Sequence, residues 1–216
     1  MQMSGASRAG HVSAGRPTGE LAADVKARLL AGDDEGARAR FDDLVLAAQR
    51  RASRLAFYYL RDRADADDAV QDAFVKAFVH LGGFDETQSF DTWFGRILVN
   101  GCLDRLKART RRGRWMVETP PGEVGQPAID PPAMGPTPED EVLRAEAARA
   151  LRAAIDTLPA RQRDVVLLTQ FDGRPTAEVS AVTGLSESTV RVHLFRAMRR
   201  LRHVLGAARA TRVDEG

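Results

Sequence analysis

Residues 176–202 read TAEVSAVTGLSESTVRVHLFRAMRRLR, and this stretch predicts two helices joined by a tight turn. The first helix is expected to end at Gly184, Leu185 fills the turn, and Ser186 can cap the second helix. Beyond the cap, apolar residues recur at helical spacing and define one buried face: Val190, Leu194, Ala197, Met198, Leu201, Val204 and Leu205. Two helices in this arrangement are typical of a helix-turn-helix.

The opposite face of the second helix carries residues that we expect to contact DNA, because the second helix of this motif enters the major groove. Arg191 and Arg196 can each make a bidentate contact with guanine, worth roughly 1–3 kcal/mol of discrimination. Val192 and Phe195 are apolar residues on this wet face, where a thymine methyl group or a sugar would cover them. The predicted contacts are Ser188, Arg191, Val192, Phe195, Arg196 and Arg199. The alternative, a solvated arginine-rich face, leaves the matching first helix and turn unexplained.

Composition limits the function classes. The 216 residues hold either one large domain or two small ones, and no apolar run is long enough to span a bilayer. The first residues lack the apolar segment of a secretory signal. A single cysteine, Cys102, excludes an internal disulfide and a cysteine-based zinc site. No nucleophile–base pair, metal cluster or phosphate loop is recognisable, so we expect a cytoplasmic protein that is not an enzyme and needs no metal or cofactor.

Charge is strongly segregated along the chain, although the net charge is only +2. Residues 96–114 contain seven Lys or Arg and one Asp, whereas residues 118–141 contain six acids and no base. Residues 142–216 contain thirteen Arg and eight acids. Such blocks indicate separate surfaces with separate partners.

Helical periodicity and its interruptions divide the chain into two all-α domains joined by a flexible linker. No β-hairpin pattern occurs, and most of the prolines lie between residues 116 and 138, where they exclude a helix. Helices are predicted near residues 21–30, 36–60, 64–81, 90–112, 139–158 and 160–171, before the helix-turn-helix. The predicted segments are a disordered extension at 1–18, a first domain at 19–114, an acidic linker at 115–138, a second domain at 139–206 and a disordered tail at 207–216.

Three further motifs stand in order along the chain. Residues 65–74 read DADDAVQDAF, residues 89–112 read SFDTWFGRILVNGCLDRLKARTRR, and residues 158–168 read LPARQRDVVLL. The first resembles the polymerase-binding signature of region 2 in bacterial sigma factors, and the second resembles the promoter-melting segment of that region. The third, with the helix-turn-helix, resembles region 4. The direct joining of these two regions is similar to the extracytoplasmic-function (ECF) subclass, and the resemblance covers roughly residues 36–206.

The resemblance implies that part of the first domain opens DNA at the minus-ten promoter element. In the family, the loop corresponding to residues 83–89 and the start of the next helix capture a base flipped from the non-template strand. Asn100 would hydrogen-bond to that base, Phe84 or Phe90 would stack on it, and Trp93 is either part of this site or a core residue. The basic end of this helix would hold phosphates of the separating strands, through Arg105, Lys107, Arg109, Arg111 and Arg112. A favourable interaction with the helix dipole would explain only one or two of these charges.

The same resemblance implies that the segment 65–74 binds the clamp coiled coil of the polymerase β′ subunit, while the second domain meets the β flap. The residues expected at the clamp are Asp65, Asp68, Gln71, Asp72 and Phe74. Acids at a helix start also favour the helix dipole, but that interpretation leaves Gln71 and Phe74 unexplained. The acidic linker either follows the RNA path of the polymerase or is a plain spacer, and both interpretations fit its sequence.

These observations predict a sigma factor that binds core RNA polymerase, recognises minus-ten and minus-thirty-five promoter elements and assists strand opening. An anti-sigma factor is expected to control it, as the family resemblance implies. Val192 and His193 replace residues common in the family, so the promoter preference is expected to differ from the commonest one. A stand-alone repressor or activator is one alternative, but it leaves residues 65–74 and 89–112 without a role. An adaptor or anti-sigma protein of the same fold is the other, and the basic residues at both DNA faces count against it.

Overall fold

The structure, a computed structural model, describes residues 16–113 and 138–213 and is helical throughout apart from the connecting turns. The helices are α1 (Arg16–Leu30), α2 (Asp34–Leu60), α3 (Arg63–His80), α4 (Phe90–Gly113), α5 (Pro138–Asp156), α6 (Ala160–Val166), α7 (Thr176–Thr183) and α8 (Glu187–Val213). The predicted all-α class is confirmed. We call α1–α4 the first module and α5–α8 the second module. None of these helices is long and apolar enough to cross a membrane.

The first helix is longer than predicted. α1 begins at Arg16, so residues 16–18, which the sequence assigns to a disordered extension, are helical. Thr18 is buried there, and its hydroxyl donates to Asp91 Oδ1 of α4 at 3.1 Å. This contact fixes the start of α1 against a distant helix, which local periodicity cannot reveal.

The last helix is also longer than predicted. α8 continues to Val213, into the segment 207–216 that the sequence assigns to a disordered tail. Ala and Arg dominate this segment, and both are strong helix formers. The linker predicted at 115–138 lies outside the described residues except for Pro138, and so do residues 1–15 of the predicted extension.

A tight connection turns the chain from α2 into α3. Arg61 has φ of 59°, and its backbone N–H donates to Phe57 O at 3.0 Å, which closes α2. The Asp62 side chain then accepts from the backbone N–H of Asp65 at 2.9 Å and caps α3. One left-handed residue and one capping carboxylate therefore set the angle between two long helices of the first module.

An aromatic cluster forms the centre of the first module. The rings of Phe74 and Phe94 stack with centroids 4.6 Å apart, and Phe41 meets Phe74 edge-on at 6.3 Å. Phe90 stacks on Phe94 at 5.7 Å and meets Phe84 edge-on at 6.0 Å. These contacts join α2, α3, α4 and the loop before α4, so a continuous series of aromatic pairs stabilises the module.

The second module packs α6, α7 and the buried face of α8 together. Its fully or nearly buried residues include Val165, Val166, Leu168, Val179, Val190, Ala197 and Leu201. The helix predicted at 160–171 changes to a wider π turn at Leu167–Phe171, and Asp172 donates its N–H to Leu167 O at 2.9 Å. Gly173 follows with φ of 69°, a conformation that glycine adopts without strain. This turn brings Asp172 to the boundary with the first module.

The two modules are held together by a network of charged residues, of which Asp172 and Arg174 are buried. Arg174 has a side chain that is 4% exposed, and its Nε donates to Asp172 Oδ2 at 2.6 Å. Its Nη1 donates across the boundary to the backbone oxygen of Asp91 at 3.0 Å. Arg51 of α2 donates from Nε to Asp172 Oδ1 at 2.7 Å and from Nη2 to Asp172 O at 3.0 Å. We call these four residues the boundary network.

Contacts between α4 and α7 extend the boundary. Arg96 donates from Nε and Nη2 to Ala181 O at 3.0 and 2.6 Å. Gly95 allows the close approach of the modules, because a Cβ there would lie 2.8 Å from Arg174 Nη2. An alanine at this position would displace the buried guanidinium.

Two tyrosines of α2 complete the boundary. The ring of Tyr58 lies 4.7 Å from that of Phe171. Tyr59 is buried beside Asp164, and burial together with this carboxylate raises the pKa of its hydroxyl well above the usual value. Burial likewise raises the pKa of Asp164, which is 3% exposed. The boundary therefore combines paired charges, an aromatic contact and one unfavourably buried carboxylate.

We expect Arg51→Met to lower the free energy of unfolding by about 1.5–3 kcal/mol, because it removes charge-assisted hydrogen bonds to a carboxylate that is nearly inaccessible. Urea unfolding followed by circular dichroism measures the change. Arg50→Met is the matched control, because Arg50 is the exposed neighbour of Arg51 on α2. Equal stability of the two variants would contradict the role assigned to Arg51.

We expect Asp164→Asn to raise the free energy of unfolding at pH 7 by on the order of 1 kcal/mol, because a buried charge is replaced by a neutral group of the same shape. The raised pKa of Asp164 means that the folded state holds its proton more tightly than the unfolded state. The contribution of Asp164 to the free energy of unfolding is therefore most favourable at a pH below 3.8, the ordinary pKa of the group. This contribution is lost as the pH rises through the raised pKa of the folded state. Urea unfolding from pH 4 to pH 8 measures this, and a less stable variant at pH 7 would contradict it.

Candidate DNA-binding and polymerase-binding surfaces

The helix-turn-helix forms as the sequence predicts. Gly184 ends α7 with φ of 71°, and its N–H donates to Ser180 O at 2.9 Å. The Ser180 hydroxyl donates to Leu185 O at 2.6 Å, which ties the turn to the helix before it. Ser186 Oγ accepts from the N–H of Thr189 at 3.2 Å and so caps α8. The small polar Ser180 therefore stabilises the turn directly.

Helix α8 has two opposite faces. Val190, Ala197 and Leu201 of the predicted apolar face are buried, and the other members of that face are partly buried. All six residues predicted to contact DNA are exposed: Ser188, Arg191, Val192, Phe195, Arg196 and Arg199. Val192 is 46% exposed and Phe195 is 68% exposed. Large apolar side chains left in water on a basic helix indicate a surface that is covered in a complex.

One residue of this surface has a partner within the chain. Arg191 Nη2 lies 2.8 Å from Glu187 Oε2, one turn earlier on α8. Both side chains are more than two-fifths exposed, so the ion pair contributes at most about 1 kcal/mol. The pair holds the guanidinium near the start of the helix without removing it from the exposed face.

The carboxyl half of α4 presents polar and basic side chains. Asn100, Lys107, Arg109 and Arg111 are exposed. Arg105 is half-buried and forms an ion pair with Asp72 of α3. The Arg112 side chain lies outside the described residues. The structure thus brings Asn100 and most of the predicted basic residues onto one helix and pairs Arg105 with a residue predicted to bind polymerase.

The predicted base-stacking rings are buried. Phe84 is 3% exposed and Phe90 is 1% exposed, and each ring packs against other aromatic rings. The prediction that one of them stacks on a base does not fit this structure, because neither ring presents a free face. Trp93 is half-buried, with its ring 5.0 Å from Phe84 and 5.8 Å from Phe90. Of the aromatic residues named for this site, it is the one that reaches the surface.

The loop before α4 has a defined internal structure. Asp85 Oδ1 accepts from the backbone N–H of Thr87 at 3.0 Å and from its hydroxyl at 2.7 Å. These hydrogen bonds lower the pKa of Asp85, the backbone contact first. The N–H of Gln88 donates to Asp85 O at 3.2 Å, which closes a turn. The loop is therefore a stable turn with exposed side chains at Asp85, Glu86 and Thr87.

The predicted polymerase surface lies on α3. Asp68, Gln71 and Asp72 are exposed, and Asp65 is half-buried. Phe74 is 7% exposed and belongs to the aromatic cluster. Four of the five residues predicted to bind polymerase therefore reach the surface of α3, whereas Phe74 lies in the core beneath them.

Beside these residues, a groove of about 710 Å³ runs between α2 and α3. Its lining includes Gln71, Phe74, Val75 and Val79. Val75 is 59% exposed and Val79 is 69% exposed. An apolar groove with a polar rim provides the kind of surface on which a partner helix docks.

Sequence reasoning missed several residues that shape these surfaces. Lys26, Arg51 and Arg96 each bond to a segment at least 58 residues away, so no local spacing indicates them. Within residues 16–113 and 138–213, no group of three or more His, Cys, Asp or Glu side chains is placed to hold a metal ion.

Two family models match the chain. Sigma-70 region 2 matches residues 44–112, and Sigma-70 region 4 matches residues 148–201. The ECF RNA polymerase sigma factor SigM of Mycobacterium tuberculosis (strain H37Rv) is 34% identical over 180 residues, which are 83% of this chain and 84% of SigM. The ECF RNA polymerase sigma factor SigW of Bacillus subtilis (strain 168) is 27% identical over 79% of this chain and 91% of its own.

Solved structures show the same architecture. CnrH, in complex with the cytosolic domain of CnrY, has a TM-score of 0.62 at 26% identity and covers 88% of this chain and 97% of its own. The sigma factor RpoE of Bartonella quintana, in complex with the anti-sigma factor NepR, shares the fold, with a TM-score of 0.58 at 22% identity. The match covers 77% of this chain and 96% of the RpoE chain. This chain belongs to the ECF subclass of the bacterial sigma-70 family, with region 2 in the first module and region 4 in the second.

Proposed function

We propose that the chain is a dissociable initiation subunit that binds core RNA polymerase in the cytoplasm through α3 and reads two promoter elements, one with each module. The observation that carries the proposal is the division of α8 into a buried apolar face and an exposed face with all six predicted DNA contacts. The chemistry of RNA synthesis belongs to the core enzyme.

The second module reads the minus-thirty-five element. Arg191 and Arg196 recognise guanine edges, and Val192 and Phe195 meet thymine methyl groups or sugars. Arg199 and Ser188 contact the flanking backbone, which fixes the register of the helix on the duplex. This assignment is supported by the exposure of two large apolar side chains on a basic face.

The first module recognises and opens the minus-ten element. The turn at Asp85 and the exposed Asn100 hydrogen-bond to a base that leaves the stack, and Trp93 offers the aromatic surface. Lys107 and Arg109 hold phosphates of the separating strands. Phe84 and Phe90 contribute as buried support for Trp93, because both rings lie against it.

The polymerase surface consists of Asp68, Gln71 and Asp72 together with the apolar groove beside them. A helix of the clamp coiled coil would cover Val75 and Val79 and meet the acids at the groove rim. Burial of exposed valines drives such docking, and the acids select a basic partner. The second module contacts the β flap.

Recognition of both elements requires the modules to separate. Elements ten and thirty-five base pairs upstream lie about 25 base pairs apart, which is about 85 Å of straight B-DNA at 3.4 Å per base pair. Here α4 and α7 are in direct contact through Arg96 and Ala181. Promoter binding therefore breaks the boundary network, and the linker must allow this separation.

An anti-sigma factor controls the subunit. The related fold of RpoE from Bartonella quintana was solved in complex with the anti-sigma factor NepR, which supports this part of the proposal. A partner that stabilises the closed arrangement would keep the chain from reaching both promoter elements.

Transcription with purified core polymerase tests the function. We expect the chain to direct transcripts from a defined start on duplex DNA selected from a randomised promoter library. The Asp68→Arg, Gln71→Ala double variant should lose core affinity by about tenfold, because it changes the charge and removes a polar contact at the groove. Glu35→Arg is the control, since it makes the same change of charge at an exposed acid of α2 outside the groove.

Specific binding of the chain to DNA without any effect on polymerase would instead identify a stand-alone regulator. Unchanged core affinity of the double variant would reject the α3 surface while leaving the family assignment intact.

We expect Val192→Ala to weaken binding of the polymerase complex to the upstream element by about 3–5-fold, because it removes an apolar contact in the major groove. Its stability should change by less than about 0.5 kcal/mol, since the side chain is exposed. Val142→Ala is the matched control, because Val142 is an exposed helical valine of the same module. Fluorescence anisotropy with labelled duplex measures the affinity, and equal affinities of the two variants would refute the α8 assignment.

A further inference from the structure

Helix α1 contributes to the first module in a way that the family match does not describe. The region 2 match begins at residue 44, after α1 has ended. Ala22 and Val25 are completely buried and attach α1 to the module. Lys26 follows Val25, and its side chain is only 21% exposed. A lysine that is mostly buried needs a specific partner for its ammonium group.

The ammonium group of Lys26 contacts the loop before α4. Its Nζ donates to Phe84 O at 2.8 Å and lies 3.0 Å from Glu86 Oε1. Just beyond the other end of that loop, in the first turn of α4, Asp91 Oδ1 accepts from the Thr18 hydroxyl at 3.1 Å. One helix therefore holds both ends of the segment that contains the Asp85 turn.

The contact with Phe84 O is the more important of the two. Glu86 is 52% exposed, and ion pairs at such positions contribute little because water screens them. Phe84 is 3% exposed and its ring packs against Phe90 and Trp93, so the residue that carries this carbonyl is held in place. A hydrogen bond from a charged donor is stronger than one between neutral groups. Lys26 thus sets the orientation of the peptide that leads into the Asp85 turn.

We propose that Lys26 is a positioning residue for base recognition at the minus-ten element, acting through the Phe84 carbonyl. The proposal rests on the proposed role of this loop in capturing a flipped base. A loop that is already ordered loses less conformational freedom when the base binds, so preorganisation favours the base with matching edges. Loss of the contact reduces discrimination between bases more than it reduces overall binding.

The experiment uses the full chain in complex with core polymerase and forked DNA with randomised bases in the unpaired minus-ten region. Sequencing of bound DNA gives the preference for each base at each position. Lys26→Met keeps the length of the stem and removes the donor, and we expect the strongest preference to fall by about 5–10-fold. Lys26→Arg retains a charged donor and should keep this preference within about threefold of the unsubstituted chain.

Two controls separate the carbonyl contact from charge. Glu86→Gln removes the ion pair but leaves the bond to Phe84 O in place, so we expect it to lose less of the preference than Lys26→Met does. Arg28→Met removes a positive charge from the same helix, but Arg28 pairs with Asp24 and Asp33 instead of the loop. It should leave the preference unchanged. Thermal unfolding of each variant confirms that it is folded.

The proposal is overturned if Lys26→Met keeps the full base preference. It is also overturned if Lys26→Met weakens binding to all bases equally, because that is the result of a purely structural role. Loss of preference in Glu86→Gln equal to that in Lys26→Met would assign the effect to the ion pair. If the unsubstituted complex shows no preference at any randomised position, the proposed role of the loop itself fails, and this is seen before any variant is compared.

Discussion

The buried guanidinium of Arg174 is the constraint on which the arrangement of the two modules depends. Its side chain is 4% exposed, and a charge at such a depth is stable only when hydrogen-bonded on several sides. Asp172 supplies one partner from the same module, and the backbone oxygen of Asp91 supplies another from α4. Gly95 leaves the space that the guanidinium occupies. Together with the bonds from Arg96 to Ala181 O, satisfying this group sets the position of α7 against α4.

The same network allows the modules to part. Asp172 and Arg174 both belong to the second module, so the bond between them does not require contact between the modules. Arg51 is 35% exposed in the closed arrangement and is readily hydrated. When the modules separate, water replaces the hydrogen bonds between them, and the net free-energy cost for each bond is small. Interfaces of this polar kind between domains of one chain are typically separable, as a subunit that spans two promoter elements requires.

The sequence predicted local features well and contacts between distant segments poorly. The two faces of α8 follow from a spacing of three and four residues within one helix, so both the buried and the exposed set agree with the structure. Ser186 likewise acts within its own turn. Phe84 and Phe90 were predicted to stack on a base because of their positions in the family motif. Those positions do not reveal that neighbouring aromatic rings enclose both side chains. The bond between Arg51 and Asp172, 121 residues apart, has no local signal at all.

The pairing of Arg105 with Asp72 bears on how the two surfaces of the first module act together. Asp72 lies on the predicted polymerase surface and Arg105 on the predicted DNA surface, so one ion pair connects them. Asp72 is 58% exposed and Arg105 is 29% exposed, and a pair of this kind contributes about 0–1 kcal/mol. By linkage, the binding of one partner changes the affinity for the other by no more than this amount through the pair. Docking on polymerase and recognition of the minus-ten element are therefore nearly independent at this contact.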